Sequence, residues 1–190
     1  LVVPFPPGGS SDIITRLVGK RLSDKLGQPV IIDNRPGAGT VIGAAYVAKA
    51  PADGYTLLMS SGSTFTVNPA IRSNLPYDPV KSYQPIGIVG RIPLIVLANK
   101  DVPVNNVKEF VAALKATPDK YSYASFGAGT TSHFTAEIVL QSIGARLMPV
   151  PYKGSAPAMT HPMGVPMPVP LAPLPSALAA PPSDRPTPSP

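Results

Sequence analysis

Cysteine and tryptophan are absent from the 190 residues, and histidine occurs only twice, at positions 133 and 161. Without cysteine there is no disulfide framework, no thiol nucleophile and no thiolate site for zinc or an iron–sulfur cluster. Two histidines cannot build a His-rich metal centre, so no metal or cofactor is expected. Charge is scarce as well: Asp, Glu, Lys and Arg make up 14% of the chain, against roughly 25% in ordinary domains. The basic residues behind the net charge of +6 stand singly, and aromatics are only 6%. Arg16, Lys20, Arg21 and Lys25, with Asp24, recur at the spacing of a solvated helix face. A nucleic-acid surface wants a denser basic patch with interleaved aromatics, so no nucleic-acid partner is expected. A membrane span is excluded on other grounds. Residues 154–183 carry no charged side chain, but prolines at 157, 162, 166, 168, 170, 173, 175, 181 and 182 prevent one continuous helix. The chain opens Leu1-Val2-Val3-Pro4-Phe5 with no initiator Met and no basic leader, as a mature or trimmed product would.

What is present is alternation. Hydrophobic residues are 44% of the chain, enough for a globular body of one domain or two small ones. Leu1–Phe5 reads as a short strand ending in Pro6-Pro7-Gly8-Gly9. Ser10-Ser11-Asp12 offers capping oxygens to a helix whose apolar face is Ile13, Ile14, Leu17, Val18 and Leu22, stopped near Gly27 and Pro29. Val30–Ile32 and Tyr55–Met59 read as strands, with an Ala-rich helix between them that opens after Asn34–Gly39. Residues 68–85, with four prolines, read as a long surface connection. Ile86–Val89 and Leu94–Ala98 read as further strands. Asn106 followed three residues later by Glu109 is a capping-box signal, opening a helix with Val107, Phe110, Val111 and Leu114 on one face. Strand Tyr121–Ser125, helix Thr130–Ile143 and strand Leu147–Pro151 complete an α/β pattern with a largely parallel sheet. Residues 161–190 hold 11 of the 27 prolines, which predicts an extended or disordered segment unable to sustain a helix or a central strand.

Three loops stand at carboxyl ends of strands and lead into helices: Pro6–Asp12, Ser60–Thr64 and Ser125–Ser132. Ligands of open α/β sheets sit there, and N–H groups at a helix start favour an anion. The glycines and hydroxyls of Ser125-Phe126-Gly127-Ala128-Gly129-Thr130-Thr131-Ser132 suit a carboxylate or a phosphate, and equally suit plain turns and caps. Catalytic signatures fail. No Lys follows those glycines as a P-loop requires, no G-x-S-x-G occurs, and Gly37, Gly39 and Gly43 miss the dinucleotide fingerprint by one residue. His133 in a first helical turn reads as structural or pocket-lining, and Asp12 as a cap or helix-dipole partner.

Several motifs, in order, resemble one family. Val3-Pro4-Phe5-Pro6-Pro7-Gly8-Gly9-Ser10-Ser11-Asp12, Asn34–Gly39, Ala52-Asp53-Gly54-Tyr55-Thr56-Leu57-Leu58, Asn68-Pro69 and Leu75-Pro76-Tyr77-Asp78-Pro79 are followed by Tyr123-Ala124-Ser125-x-Gly127-x-Gly129-Thr130 with His133, and by Val150–Ala158. This series is similar to the extracytoplasmic solute receptors of tripartite tricarboxylate transporters, the Bug-type receptors. The resemblance implies an α/β fold like the type II periplasmic binding proteins, with two lobes of mainly parallel sheet that close on a ligand. It implies a periplasmic, non-enzymatic receptor that captures a small organic carboxylate (a di- or tricarboxylate, an amino acid or an aromatic acid) for membrane permease subunits. It also implies the ligand-binding residues: Phe5, Pro6, Pro7, Gly8, Gly9, Ser10 and Asp12; Ser60, Ser61 and Ser63; and Ser125, Gly127, Gly129, Thr130, Thr131 and His133.

The expected organisation is a first lobe over 1–98, part of a second over 99–158, and an atypical Pro-rich tail over 159–190. The family continues after Ala158 with an acidic helix–strand unit where this sequence turns Pro-rich, so the second lobe is expected to be incomplete. Leu174-Pro175-Ser176-Ala177-Leu178 still echoes a family motif. The competing roles are a receptor that presents its ligand to a sensor kinase, an α/β enzyme for a phosphorylated substrate, and a fragment that does not bind.

Overall fold

A computed structural model describes residues 1–97, 102–117, 120–160 and 169–173. They form two compact units: Leu1–Gly90 together with Ala128–Thr131, and the described residues of Arg91–Gly127 and Ser132–Pro190.

In the first unit, β1 (Val2–Val3) is flanked on both sides. It pairs in parallel with β2 (Asp33–Asn34), and on its other edge with the Leu57–Met59 segment. There the Val2 N–H donates to the Leu57 carbonyl at 2.8 Å and the Met59 N–H to the Val2 carbonyl at 2.9 Å. Three parallel segments therefore release their chains at one edge. Helix α1 (Ser10–Leu26) ends at Gly27, whose left-handed backbone lets its N–H reach the Ser23 carbonyl. A 3-10 turn (Ala38–Thr40) leads into α2 (Val41–Ala48). A π-helical turn (Ser63–Val67) runs into the short α3 (Asn68–Ile71).

The strand expected at Val30–Ile32 lies at Asp33–Asn34, the one expected at Tyr55–Met59 is a single parallel bridge at Leu58, and three further features of this unit differ from expectation. First, the buried face of α1 is Ser10, Asp12, Thr15 and Gly19, while Leu17 is 63% exposed. Small residues face inward because the helix lies close to the chain beneath it: a Cβ on Gly19 would fall 2.7 Å from Ile32 Cδ1. Second, residues 86–89 form no strand, and Ile86 and Ile88 are 85% and 84% exposed. No described strand pairs with this segment, and apolar residues alone do not make a strand without a ladder partner. Third, the 68–85 connection does not lie wholly on the surface. Asn68 and Tyr77 are buried, and the half-buried Tyr83 packs edge-on against Tyr77 and Phe65 while its hydroxyl donates to the Ala44 carbonyl.

The second unit carries a four-stranded sheet of order β3-β6-β4-β5, from β3 (Leu94–Val96), β4 (Ser122–Ser125), β5 (Met148–Pro151) and β6 (Val169–Pro173). The β4 pairings are parallel, and β3 with β6 is antiparallel. Helix α4 (Val107–Ala116) begins as the capping box requires, with Asn106 Oδ1 accepting from the Glu109 N–H at 2.9 Å. Glu109 reaches back to the N–H of Asn105 rather than of Asn106. Val107, placed on the helix's apolar face by its spacing, is 58% exposed, whereas Leu114 is buried. With α5 (Thr131–Ile143), the helix covers a core of Leu114, Tyr121, Tyr123, Ala136 and Leu140. A short α6 (Ser155–Thr160) follows β5.

Strand β6 corrects the expectation that the Pro-rich region sustains no central strand. It lies between β3 and β4 with Pro170 opposite Ala124 and Pro173 opposite Leu94. In a strand, successive residues direct their backbone groups to alternate flanks, so each proline withholds one donor from one neighbour. The remainder of 161–190, including Leu174–Leu178, lies outside the described residues, as does the Ala98 end of the expected strand.

Helix α2 depends on close approach. A Cβ on Gly43 would stand 2.7 Å from the Arg35 carbonyl oxygen and 2.8 Å from Pro4 Cβ. Backbone is the main obstacle, so relief requires moving α2 off β1. Gly43→Ala is expected to cost about 2 kcal/mol, as overpacking does. A thermal melt checks this: a midpoint roughly 4–8 °C lower is expected for a chain of this size.

Candidate functional site

The first loop leaves β1 through Pro4 and Phe5. Phe5 and Pro6 are half-buried, Pro7 and Gly8 exposed, Gly9 and Ser10 buried. Gly9 is the N-cap of α1 and offers no side-chain oxygen to the first-turn N–H groups. Asp12 instead reaches back past the N-cap to the loop. Its Oδ2 accepts from the Gly8 N–H and from Arg16 Nε, both at 2.9 Å, and its Oδ1 accepts from Asn34 Nδ2 at 2.9 Å. Asn34 Nδ2 also donates to the Phe5 carbonyl at 3.1 Å. Both Asp12 oxygens are therefore committed to bracing the loop. Burial alone would raise this carboxyl's pKa, but hydrogen bonds from Arg16, Gly8 and Asn34 outweigh it and hold the group below its ordinary value.

The second loop follows Met59. Ser60, Ser61 and Gly62 are half-buried, and Ser63 and Thr64 are buried in the π-helical turn. Such turns recur at functional sites. Ser61 Oγ accepts from the Ser63 N–H at 3.2 Å, and Ser63 Oγ accepts from the Thr131 N–H at 2.9 Å. That bond ties the third loop, Ala128–Thr131, into the first unit. Beneath the loops the hydroxyls of Thr40 and Thr64 meet at 2.7 Å, and those of Thr64 and Ser60 at 2.5 Å. The buried Tyr77 hydroxyl donates to the Thr64 carbonyl at 2.9 Å.

In the third loop Gly129 and Thr130 are buried and Thr131 half-buried. Gly39 backs this loop with a positive φ of 65°, and a Cβ there would stand 2.4 Å from the Ala128 carbonyl oxygen. The structure thus gathers residues 5–12, 60–63 and 129–131 into one unit, on segments that leave the same edge or bond to those that do. Ser125, Gly127 and His133 belong to the second unit. There the Ser125 carbonyl accepts from the Tyr152 N–H at 2.7 Å, and Ser125 Oγ from the Gly127 N–H at 3.4 Å. The His133 ring stacks on Tyr123 with centroids 6.4 Å apart, and its Nε2 lies 4.0 Å from Glu137. Tyr123 donates to Glu137, and burial, then that carboxylate, push its phenol pKa well up.

Sequence reasoning missed Thr40, Thr64, Asn68 and Tyr77. The signal was present in Asn34–Gly39, Asn68-Pro69 and Leu75–Pro79, motifs whose side chains had no assigned task. No cluster of metal ligands exists among the described residues, and none of their helices is long and apolar enough to cross a membrane.

A family profile described as the tripartite tricarboxylate transporter family receptor matches residues 14–181. A UPF0065 protein of Bordetella pertussis is 43% identical over 156 residues, covering 82% of this chain and 48% of the relative. Two solved structures superpose closely. One is the R. palustris protein Rpa4515 with adipate: 34% identity, TM-score 0.88, 93% of this chain and 59% of the other. The second is MatC from Rhodopseudomonas palustris with bound malate: 28% identity, TM-score 0.89, 99% of this chain and 64% of the other. A third, the periplasmic binding protein BugD, is 36% identical with a TM-score of 0.81 over 88% of this chain and 56% of the other, so the α/β fold is that of the periplasmic binding proteins. The chain spans about half the length of the curated relatives it matches.

Asp12 yields a signed prediction. Its folded pKa is lowered, so its contribution is fully present above the unfolded carboxylate range and is lost as pH falls through the folded value. At neutral pH Asp12→Ala is expected to cost about 2 kcal/mol, in the range for hydrogen bonds to a charged group. Melts of the two proteins across an acid titration should converge as the carboxyl of the unsubstituted chain becomes protonated.

Proposed function

This chain belongs to the tripartite tricarboxylate transporter receptor family, and from that premise we propose that it carries a binding site for a small organic dicarboxylate. The protein acts as a periplasmic receptor that delivers this solute to membrane permease subunits. One carboxylate of the ligand is held at the loops of the first unit by the first-turn N–H groups of α1 and by the hydroxyls of the Ser60–Ser63 turn. A helix start is suited to an anion because its N–H groups and the helix dipole both point there.

The observation that carries this reading is the start of α1, where Gly9 at the N-cap supplies no side-chain cap, at the edge where three parallel segments end. The loops 5–12, 60–64 and 128–131 contain no Lys or Arg, so the negative charge is met by neutral dipoles and bridging water. The charge of Asp12 is offset by the Arg16 guanidinium 2.9 Å from its Oδ2, and both its oxygens are turned to loop and helix donors. The relatives solved with adipate and with malate support an aliphatic dicarboxylate as the substrate class.

Calorimetric titration and thermal melts with malate, adipate, succinate and citrate test the proposal. Saturable binding of at least one is expected. At about 100 times the dissociation constant a ligand stabilises by about 2.7 kcal/mol, a rise of roughly 5–11 °C for a chain of this size. A cooperative melt that no carboxylate shifts, or one that only nucleotides shift, would overturn it.

A further inference from the structure

Asn68 is fully buried, at 0% exposure, and its amide faces partners that permit one orientation only. Nδ2 points at the carbonyls of Gly39 and Ser63, at 2.6 and 2.7 Å, which can only accept. Oδ1 lies 2.9 Å from Arg72 Nε, which can only donate. Nδ2 also stands 3.3 Å from Thr40 Oγ1, as a shared donor. A Cβ on Gly129 would fall 2.8 Å from Asn68 Oδ1, so the third loop rests directly on this side chain. One amide therefore braces the turn at Gly39, the second loop and the third loop at once.

That orientation sets the direction of a hydroxyl chain. Thr40, 2% exposed, receives the Asn68 N–H, and the acceptor within reach of its own proton is Thr64 Oγ1 at 2.7 Å. With Thr40 as the donor, Thr64, 0% exposed, receives that proton and gives its own to Ser60 Oγ at 2.5 Å. In that direction the half-buried Ser60 ends the chain as the acceptor of this bond, and its own O–H is not used within the chain.

We propose that Asn68, through Thr40 and Thr64, fixes Ser60 as a hydrogen-bond donor toward the ligand, and so selects an ionised carboxylate over an ammonium or amide donor at that position. Asn68 is a positioning residue; Ser60 makes the contact. This inference rests on the dicarboxylate reading above. It makes Asn68→Asp more than a loss of contacts. An aspartate cannot donate, so Thr40, Thr64 and Ser60 would each turn their protons inward, and Ser60 would face the carboxylate with a lone pair.

The test is a double-mutant cycle by calorimetry with the dicarboxylate that binds the unsubstituted chain, malate or adipate. Asn68→Asp is expected to lower affinity at least tenfold at neutral pH, and Ser60→Ala several-fold. In the Ser60→Ala background Asn68→Asp should add far less than it does alone, because the group it acts through is gone. Thr64→Val keeps the shape, cuts the relay, and should also weaken binding several-fold. It decides the matter if the aspartate variant does not fold. Full affinity in the Asn68→Asp or Thr64→Val chain, or an Asn68→Asp loss undiminished without Ser60, would overturn the relay and leave the dicarboxylate reading standing. An unsubstituted chain that binds no dicarboxylate would overturn both.

Discussion

A buried hydroxyl must give its proton to an acceptor, and a buried carbonyl must receive one, or the fold forfeits the cost of desolvating them. The first unit is organised around that constraint more than around apolar packing. Its interior beneath the loops holds Thr40, Ser63, Thr64 and Asn68 beside Val2, Val3 and Ala44. Among the described residues no buried side-chain nitrogen or oxygen lacks a hydrogen-bond partner. Each loop is therefore fixed by a polar group from outside it: the first by Asn34, the second by Asn68 and Tyr77, the third by Ser63.

Such a network suits a site that meets an anion with neutral donors. A cationic clamp would be screened by water when empty and would accept many anions. Fixed backbone N–H groups and hydroxyls with a set donor direction recognise the geometry of an acceptor at no cost in reorganisation. Glycine serves the same end where loops cross: Gly39 admits the Ala128 carbonyl, and Gly129 admits Asn68.

How much of this was legible in the sequence follows from which forces act locally. Turn and cap chemistry is local, so Gly27 as the end of α1 and the Asn106–Glu109 start of α4 were readable. The alternation of elements was readable too, and the loops at the strand ends with it. The face of α1 was not, because its burial follows from close approach to Ile32, a contact between distant residues. The apolar run at 86–89 read as a strand, yet a strand needs a partner that composition does not name. Pro170 argued against a central strand, though each proline removes a donor on one flank only. The motif residues Asn68 and Tyr77 were visible as patterns. Their task lay in partners up to 29 residues away, Gly39 among them, and no spacing rule reaches that far.

The central claim is that the first unit alone presents the donors for a carboxylate. Amide-resolved NMR titration of this chain with adipate and with malate tests it most directly. The account predicts the largest shifts at the amides of Gly9–Asp12, Ser61–Ser63 and Ala128–Thr131, saturating together with one dissociation constant. Saturable shifts confined to other residues, with these amides unmoved, would contradict it.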